Sequence, residues 1–224
     1  MAARIYLSRD AAAQALGADE TAAALQVAAA AKGTSITLTR VGSRGMVWLE
    51  PLVEVEDASG QRIAYGPVTA GDVPGLVQAG LFDTASHPLR LGRVEDMPWF
   101  AQQQRLTFAR VGVIDPVSVD DYVAHGGFAG LKRALGMSGA EIVQEVLESG
   151  LRGRGGAAFP TGIKWRTVLE QHSLQKYVVC NADEGDSGTF SDRMLMEGDP
   201  LCLIEGMLIA GLAVGATRGY IYLR

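Results

Sequence analysis

Hydrophobic and polar residues follow each other along roughly the first 80 residues in a pattern that predicts a small mixed α/β unit. The alanine-rich stretch 11–32 has helical composition and is broken near Gly17, after which Asp19 can cap a second helix. Val73–Ala79 predicts a short helix that ends at Gly80. Alternating and β-branched segments predict strands at Arg4–Leu7, Ser35–Val41, Leu52–Glu56 and Arg62–Tyr65, the last two joined by a hairpin loop.

The predicted order of strand, helix, three strands and helix is typical of a small α/β sandwich. Residues 83–104 follow with no clear periodicity, so we predict a linker or a wrapping arm there. A second region begins near Leu106. Its helices are predicted at residues 118–124, 128–135 and 138–150. Ser138 and Glu141 have the spacing of a capping box at the start of the last of these helices.

The end of the chain predicts a strand, a long helix and a final strand, at residues 177–180, 200–216 and 220–223. A polar, acidic loop separates the first strand from the long helix. An apolar strand at the end of a domain is usually paired. It therefore either closes the sheet, or this chain is the front part of a longer one, and we favour the second interpretation.

Composition describes a globular chain of 224 residues, 48% apolar and 20% charged, with enough apolar residues for a buried core. The formal net charge of -5 argues against a nucleic-acid surface, which is usually basic. The longest apolar run, residues 201–216, contains Glu205 and is shorter than the about 20 residues that span a bilayer. The start of the chain lacks the apolar core of a signal peptide, so we expect the cytoplasm as its compartment.

The cysteines and histidines give little indication of chemistry. Cys180 and Cys202 have no metal-ligand spacing, and we interpret them as buried free thiols rather than as a disulfide or as cluster ligands. His87, His125 and His172 are isolated, which favours loop or surface positions. The sequence has no Walker lysine motif, no serine nucleophile elbow and no zinc signature.

The most informative segment, residues 150–165, contains five glycines, two arginines, a lysine and two aromatic residues. Glycines let a backbone approach a ligand closely and adopt positive φ. Basic side chains supply counter-charge for a phosphate, and aromatic side chains supply flat faces for a ring. The segment is therefore interpreted as a nucleotide or flavin cradle, with a glycine-rich helix terminus and turn as the alternative.

One part of this segment, Gly153-x-Gly155-x-x-Ala158, matches the dinucleotide-binding fingerprint. That fingerprint has meaning only between a strand and a helix. Here the glycines follow a predicted helix, so the match to that particular turn is accidental. A glycine-rich loop of different geometry can still hold phosphate with its backbone N–H groups.

A second informative segment, residues 181–193, follows a predicted strand, at the position where open α/β sheets bind ligands. Its carboxylates can accept hydrogen bonds from ribose hydroxyls, and Asn181 and Asp183 can bond a ring edge. Carboxylates there would also repel a 2′-phosphate, which favours NAD over NADP. An acidic surface loop and an oxygen-ligand cation site are the alternatives.

Three stretches in order, residues 149–165, 177–190 and 199–207, resemble the FMN- and NADH-binding subunit of respiratory complex I. That family also includes the diaphorase subunits of NAD-reducing hydrogenases and of NAD-dependent formate dehydrogenases. The resemblance covers about residues 105–224. It implies hydride transfer between NAD(H) and FMN, followed by transfer of single electrons to or from an iron–sulfur chain. The flavin carries that chemistry, and the protein supplies position and electrostatics.

The resemblance also assigns roles to residues. It implies a set of FMN-binding residues in the first two motifs: Gly153, Arg154, Gly155, Lys164, Asn181, Asp183 and Glu184. Phe159 would stack on the nicotinamide or adenine side of NADH, and Asp186 would contact the dinucleotide. No side chain is implied as a catalytic group, and no metal ligand is implied within this chain.

Three departures from the family's pattern are evident. Ala158 stands where the family usually has glycine, which adds a Cβ near the ligand. Asp186 and Ser187 stand where complex I members usually carry Glu and Pro, so the acid that would contact NADH is shorter. The family's 4Fe-4S cluster would need cysteine ligands beyond residue 224, because neither cysteine here matches them.

Residues 1–82 resemble the thioredoxin-like iron–sulfur subunit that is fused to or associated with this family. Residues 41–46 fall where such domains carry cluster cysteines, and here they contain none. The expected fold is α/β: a thioredoxin-like domain at 1–82 without Fe-S ligands, a linker at 83–104, and at 105–224 the front part of a Rossmann-like FMN- and NAD(H)-binding domain. This combination resembles the β subunit of a soluble NAD-dependent formate dehydrogenase.

That branch implies two partners, a molybdenum/iron–sulfur α subunit that oxidises formate and a small thioredoxin-like γ subunit with a 2Fe-2S cluster. It implies neither nucleic-acid binding nor a direct membrane span. The alternatives within the family are a flavoprotein subunit of NADH-quinone oxidoreductase and the diaphorase subunit of a NAD-reducing hydrogenase. Alternatives of another class are a non-catalytic docking subunit and a domain that senses NAD without turnover.

Overall fold

The computed structural model describes residues 2–224, which form two compact units. One unit runs through to Asp121 and includes Met194–Asp199, and the other comprises Tyr122–Arg193 and Pro200–Arg224. The predicted first domain begins at residue 1, which lies outside the described residues. The units divide the chain at a different place from the predicted boundary at residue 105.

Strands and helices alternate at the start of the first unit. Its strands are β1 (Ala3–Ser8), β2 (Ile36–Val41), β3 (Val53–Glu56), β4 (Arg62–Tyr65) and β5 (Arg90–Gly92). Its helices are α1 (Ala11–Ala15), α2 (Ala18–Ala31), α3 (Val73–Gln78) and α4 (Pro98–Ala101), and α5 (Val119–Ala124) contains residues of both units. The predicted strands and helices of the first 80 or so residues are therefore confirmed.

Within residues 2–224, these strands form a five-stranded sheet in the order β2-β1-β3-β4-β5. β1 pairs in parallel with β2, Ile5 opposite Leu38, and antiparallel with β3, Ile5 opposite Val55. β3 and β4 form the predicted hairpin. A parallel βαβ unit followed by a β-hairpin and a helix is a thioredoxin-like arrangement, as predicted for this part of the α/β fold.

The core of the first unit follows from the periods of its elements. Ile5 and Leu7 alternate on β1, and Val53 and Val55 alternate on β3, so all four side chains point to one buried face. Ala22, Leu25 and Ala29 recur at helical spacing on α2 and pack against that face. Small alanines let this helix lie close to the sheet.

The predicted cap at Asp19 is wrong. Gly17 is the N-cap residue of α2, with φ +96°, and the Asp19 carboxylate instead pairs with Arg40 Nη2 at 2.7 Å. The side-chain cap in this region is Asp10, whose Oδ1 accepts hydrogen bonds from the N–H groups of Ala12 and Ala13 at the start of α1. A glycine in the left-handed region ends one helix and begins the next without a side-chain cap.

The predicted linker 83–104 contains secondary structure. Its segment Arg90–Gly92 is β5, which adds to β4 at the edge of the sheet. Val94 is buried beside Met46, Leu52 and Ala64. The chain beyond it is also held to this unit, because Arg62 donates hydrogen bonds to the carbonyl oxygens of Gly112 and Val113.

The second unit is built from helices around a short parallel sheet. Its elements are α6 (Ala129–Ala134), α7 (Gly139–Glu148), α8 (Thr161–Leu169), β6 (Tyr177–Ala182), α10 (Pro200–Val214) and β7 (Arg218–Leu223), and α9 (Ser191–Gly198) contains residues of both units. β6 and β7 pair in parallel over their whole length, with Val179 opposite Tyr220. The path from β6 through α10 to β7 is the βαβ connection of a Rossmann-like α/β fold, as predicted.

Helices α7, α8 and α10 share an apolar core in which Ile142, Val143, Ala213 and Val214 are buried. The predicted capping box is confirmed: Ser138 Oγ accepts from Glu141 N–H, and the Glu141 carboxylate accepts from Ser138 N–H. Helices α8 and α9 were not predicted. No helix within residues 2–224 is long and apolar enough to cross a membrane.

Candidate functional site

The glycine-rich segment forms a closed loop between α7 and α8, here called the glycine hairpin (residues 150–160). Two backbone hydrogen bonds tie its arms together: Thr161 N–H donates to Leu151 O and Gly153 N–H donates to Phe159 O, both at 2.9 Å. Gly150 begins the loop with φ +67°, which a β-carbon would disfavour. The loop follows a helix, so the Rossmann turn is excluded here, as the sequence indicated.

The two arginines of the hairpin bond the hairpin's own backbone. Arg152 Nε donates to Ala158 O at 2.7 Å, and Arg154 Nη1 donates to Arg152 O at 2.6 Å. Both side chains are exposed. A guanidinium has five N–H donors, so Arg154 retains donors for an anion beside that bond.

The tip of the hairpin is bare backbone. A β-carbon built on Gly155 or Gly156 would meet nothing within 4 Å, and Gly156 has φ +95°. α8 begins directly after the hairpin, and its N-cap residue, Pro160, provides no side-chain cap. Lys164 lies on the first turn of α8 with an exposed side chain. Open backbone, an uncapped helix start and a lysine are the groups that bind phosphate, so these residues fit an FMN phosphate.

The two aromatic residues of this segment have different environments. Phe159 is 49% exposed, so its ring is available to a planar ligand. Trp165 packs on the apolar core of the second unit beside α7 and α10, so it is a structural residue, and Phe159 is the candidate for stacking on a ligand.

The acidic loop (residues 183–190) follows β6 and precedes α9. Asn181 is exposed near the end of the strand, and its Oδ1 accepts a hydrogen bond from Asp183 N–H at 3.3 Å. Asp186 is exposed, and its carbonyl oxygen accepts from Thr189 N–H at 3.4 Å. The loop therefore presents an amide and carboxylates at the carboxyl end of a parallel strand.

Glu184 has a structural role that its sequence context did not reveal. Its carboxylate accepts hydrogen bonds from the N–H groups of Asp192 and Arg193, both at 3.0 Å, in the first turn of α9. A carboxylate at a helix start also complements the helix dipole. Each carboxylate oxygen keeps a second lone pair, so these bonds do not prevent contact with a ligand.

Strained backbone is concentrated in the two loops. Within residues 2–224, five non-glycine residues have positive φ, and Ala158, Glu184 and Phe190 among them lie in the glycine hairpin and the acidic loop, at +49°, +44° and +53°. Such residues persist only where their surroundings hold them, and they cluster at functional sites.

Both loops belong to the second unit: the glycine hairpin precedes α8 and the acidic loop follows β6. α8 leads into β6 through residues 170–176, and Lys176 Nζ bonds Leu169 O at 3.0 Å, which ties the end of the helix to the start of the strand. The hairpin and the acidic loop are thus on either side of one helix–strand unit.

The two cysteines lie outside the glycine hairpin and the acidic loop. Cys180 is a free cysteine, and both Cys180 and Cys202 are half-buried rather than buried as expected. Burial, and then the charge of Asp192, raises the pKa of the Cys180 thiol, which lowers its thiolate fraction. Within the part of the chain that the structure describes, there is no group of three or more His, Cys, Asp or Glu side chains suited to a metal ion.

The sequence of this region matches a known family. Residues 146–224 match the model of the Nuo51 FMN-binding domain. The glycine hairpin, α8, β6 and the acidic loop all lie within the match. The C-terminal part of this chain is therefore similar in sequence to the FMN-binding domain of that family.

Similar proteins are subunits of larger enzymes. The NADP-reducing hydrogenase subunit HndC of Solidesulfovibrio fructosivorans is 54% identical over 123 residues, which are 55% of this chain and 25% of that protein. An NADH-quinone oxidoreductase subunit of Escherichia coli (strain K12) is 50% identical over 111 residues, 49% of this chain and 25% of that protein. The chain thus spans about a quarter of the length of these relatives.

Among solved structures, a NAD+-reducing NiFe hydrogenase aligns over 99% of this chain and 37% of its own, with 25% identity and a TM-score of 0.42. The fold class stands on the strand order and directions of the chain itself.

Proposed function

We propose that this chain provides the flavin-binding part of a diaphorase, a subunit that exchanges hydride between NAD(H) and FMN and passes electrons to or from an iron–sulfur chain. The observation that carries the proposal is the glycine hairpin. Its bare tip, the uncapped start of α8 and Lys164 are together in a segment that matches an FMN-binding domain. FMN would accept hydride and release single electrons there.

The residues divide into those for the phosphate and those for the ring. Gly153 and Gly155 would let the backbone approach FMN, while Arg154 and Lys164 would balance the phosphate charge. Asn181 and Asp183 would bond the edge of the flavin ring from the end of β6. Glu184 would complete this side, and its bonds to α9 would hold the loop in place.

The nucleotide would lie against Phe159, whose exposed ring can stack on the nicotinamide or adenine. Asp186 would contact the dinucleotide from the acidic loop. Because the carboxylates of this loop would repel a 2′-phosphate, NAD would be preferred to NADP.

Within the family, we favour the β subunit of a soluble, cytoplasmic NAD-dependent formate dehydrogenase. Two features support this branch: residues 41–46 contain no cysteine, and Asp186 and Ser187 replace the usual Glu and Pro. The partners would be a molybdenum/iron–sulfur α subunit, where formate is oxidised, and a small 2Fe-2S γ subunit. A 4Fe-4S cluster would require ligands outside these 224 residues.

A hydrogenase diaphorase is the second candidate, and a specific observation favours it. The relative that is 54% identical is named as a subunit of an NADP-reducing hydrogenase. The two candidates differ in the electron donor, which is formate in one and hydrogen in the other. They would also differ in the nucleotide, NAD or NADP, if this chain shared the nucleotide named for that relative. They share the flavin site.

The flavin site can be tested by flavin content and by substitution. Protein purified with this chain should release FMN on denaturation, and K164M should raise the dissociation constant for FMN by about tenfold or more, as expected for loss of a charge-assisted hydrogen bond. R166M is the matched control, because Arg166 is also an exposed cation on α8 but lies outside the first turn. Equal effects of K164M and R166M would contradict the role of Lys164.

The branch can be tested with the assembled complex. NAD+ reduction driven by formate but not by hydrogen would support the formate dehydrogenase. NAD(P)+ reduction driven by hydrogen would assign the chain to the hydrogenase branch and leave the flavin site unaffected.

A further inference from the structure

We infer that Arg152 is a positioning residue, which holds Ala158 in the left-handed backbone conformation and so fixes the shape of the glycine hairpin. This role of Arg152 concerns the hairpin itself, and only its consequence for FMN and NADH rests on the function proposed above. Arg152 is outside the set of residues expected to contact the ligands.

The contacts around Arg152 place it across the hairpin from Ala158. Arg152 forms an isolated β-bridge with Pro160, and the next residue, Gly153, donates its N–H to Phe159 O. From this fixed backbone, the Arg152 side chain reaches Ala158 O with a 2.7 Å bond from Nε. The bond is charge-assisted and therefore stronger than one between neutral groups.

Ala158 needs such a bond. Its φ of +49° places a residue with a β-carbon in the left-handed region, which is unfavourable for every residue except glycine. Asn and Asp can offset this cost with their own side chains, but alanine has no polar group to do so. The conformation must therefore be held by the surroundings, and the Arg152 bond acts on the carbonyl of Ala158 itself.

The position of Ala158 makes its conformation consequential. Ala158 lies between the bare glycine tip and Phe159, whose carbonyl accepts the hydrogen bond that closes the hairpin. If Ala158 left the left-handed region, the direction of the chain would change at this point. The tip and the Phe159 ring would then move together.

Hydrogen exchange of the Gly153 amide tests the inference without any ligand, because this N–H makes the closing bond to Phe159 O. In FMN-free protein, R152A should speed this exchange by about tenfold or more, as expected for loss of a bond to a charged group. R152K should retain most of the protection, because an ammonium can also donate to Ala158 O. R166A, on α8 outside the hairpin, should change nothing.

The sharper test combines R152A with A158G. Glycine adopts positive φ without strain, so in an A158G background the hairpin no longer depends on Arg152 to the same extent. R152A should then speed exchange about threefold or less, a coupling between the two residues that a double-mutant cycle measures. An equal factor in both backgrounds, or no effect of R152A in either, would overturn the inference. If R152A does not fold, the comparison of R152M in the two backgrounds serves instead, because methionine keeps much of the side-chain length but has no donor for Ala158 O.

In the FMN-loaded protein, R152A should raise both the dissociation constant for FMN and the KM for NADH, because the glycine tip and the Phe159 ring move together, and R152K should restore most of both. If the exchange results are as expected but the protein binds no FMN, the proposed function fails and the positioning role stands. If FMN binds but exchange is insensitive to R152A, the positioning role fails alone.

Discussion

Arg44 and Glu54 form a buried, bidentate ion pair in the thioredoxin-like unit. Arg44 Nε donates to Glu54 Oε1 and Nη2 to Oε2, both at 2.9 Å, and the side chains are 5% and 2% exposed. Arg44 belongs to the cysteine-free segment 41–46. The loop that contains residues 41–46 is therefore tied to β3 by a buried ion pair.

Removing one partner of this pair should be costly, because the other charge is left buried. We expect R44M to lower the free energy of unfolding by about 3–5 kcal/mol, measured by urea denaturation. R4M is the matched control: the Arg4–Glu56 pair is 64% and 22% exposed, so its loss should cost less than about 1 kcal/mol. A cost for R44M no greater than that for R4M would contradict the role of the buried pair.

Gly162 and Gly206 should respond to alanine in opposite directions. A β-carbon on Gly162 would lie 2.7 Å from Leu147 N, so G162A forces α8 away from α7 and should cost about 1–3 kcal/mol of stability. A β-carbon on Gly206, in α10, meets nothing within 4 Å, so G206A should stabilise by about 0.5–1 kcal/mol. Thermal or urea unfolding measures both, and a neutral G162A would show that the two helices are not closely packed.

Glu50 should make stability depend on pH. Burial raises the pKa of its carboxyl above the usual 4.5, although Leu52 N–H, Ser43 and Ser8 donate hydrogen bonds to it, and the charge of Asp10 raises it further. The folded pKa is above the unfolded one, so the group's contribution to stability is full below pH 4.5 and is lost as pH rises through the folded pKa.

Wild-type stability relative to E50Q should therefore fall as pH rises above 4.5 and become constant above the folded pKa. Taking the difference from E50Q removes the contributions of the other titrating groups. A difference that is flat over this range, or that rises with pH, would contradict the assignment.

Substitution of Glu184 should reduce both stability and nucleotide binding, whereas substitution of Asp186 should reduce NADH binding alone. E184A removes the acceptor for two N–H groups at the start of α9 and should cost about 1 kcal/mol of stability, as loss of a helix cap does, in addition to weakening nucleotide binding. D186A changes an exposed carboxylate and should leave stability within about 0.5 kcal/mol while it weakens NADH binding. Unfolding measures stability, while FMN titration of E184A and NADH titration of D186A measure binding; E184A with unchanged stability would show that the cap contributes nothing.

The sequence predicted the elements whose signals are local. The β3–β4 hairpin follows from alternation around a turn, and the start of α7 follows from the spacing of Ser138 and Glu141. It missed α8, whose first turn follows five residues of mostly glycine and alanine. This helix is stabilised by the close approach of Gly162 to Leu147, a contact between residues distant in sequence.

The candidate site shows the same difference between features with a local sequence signal and features that depend on the folded structure. The two loops could be identified from composition, because glycines with basic residues and carboxylates after a strand are chemical signals. The hydrogen bond from Arg152 to Ala158 O and the helix cap formed by Glu184 could not be predicted from the sequence. The first depends on the positive φ of Ala158, and the second depends on α9. Arg152 precedes Ala158 by six positions and Glu184 precedes Asp192 by eight, and neither spacing is a recognisable sequence motif.

In the function we propose, the loops of the second unit hold FMN where NADH can reduce it. The direct measurement is anaerobic titration of the purified, FMN-loaded protein with NADH while the flavin absorbance is recorded. We predict bleaching of the flavin bands that is complete near one NADH per FMN, because each carries two electrons. Flavin bands that remain unchanged at excess NADH, in protein with bound FMN, would contradict this function.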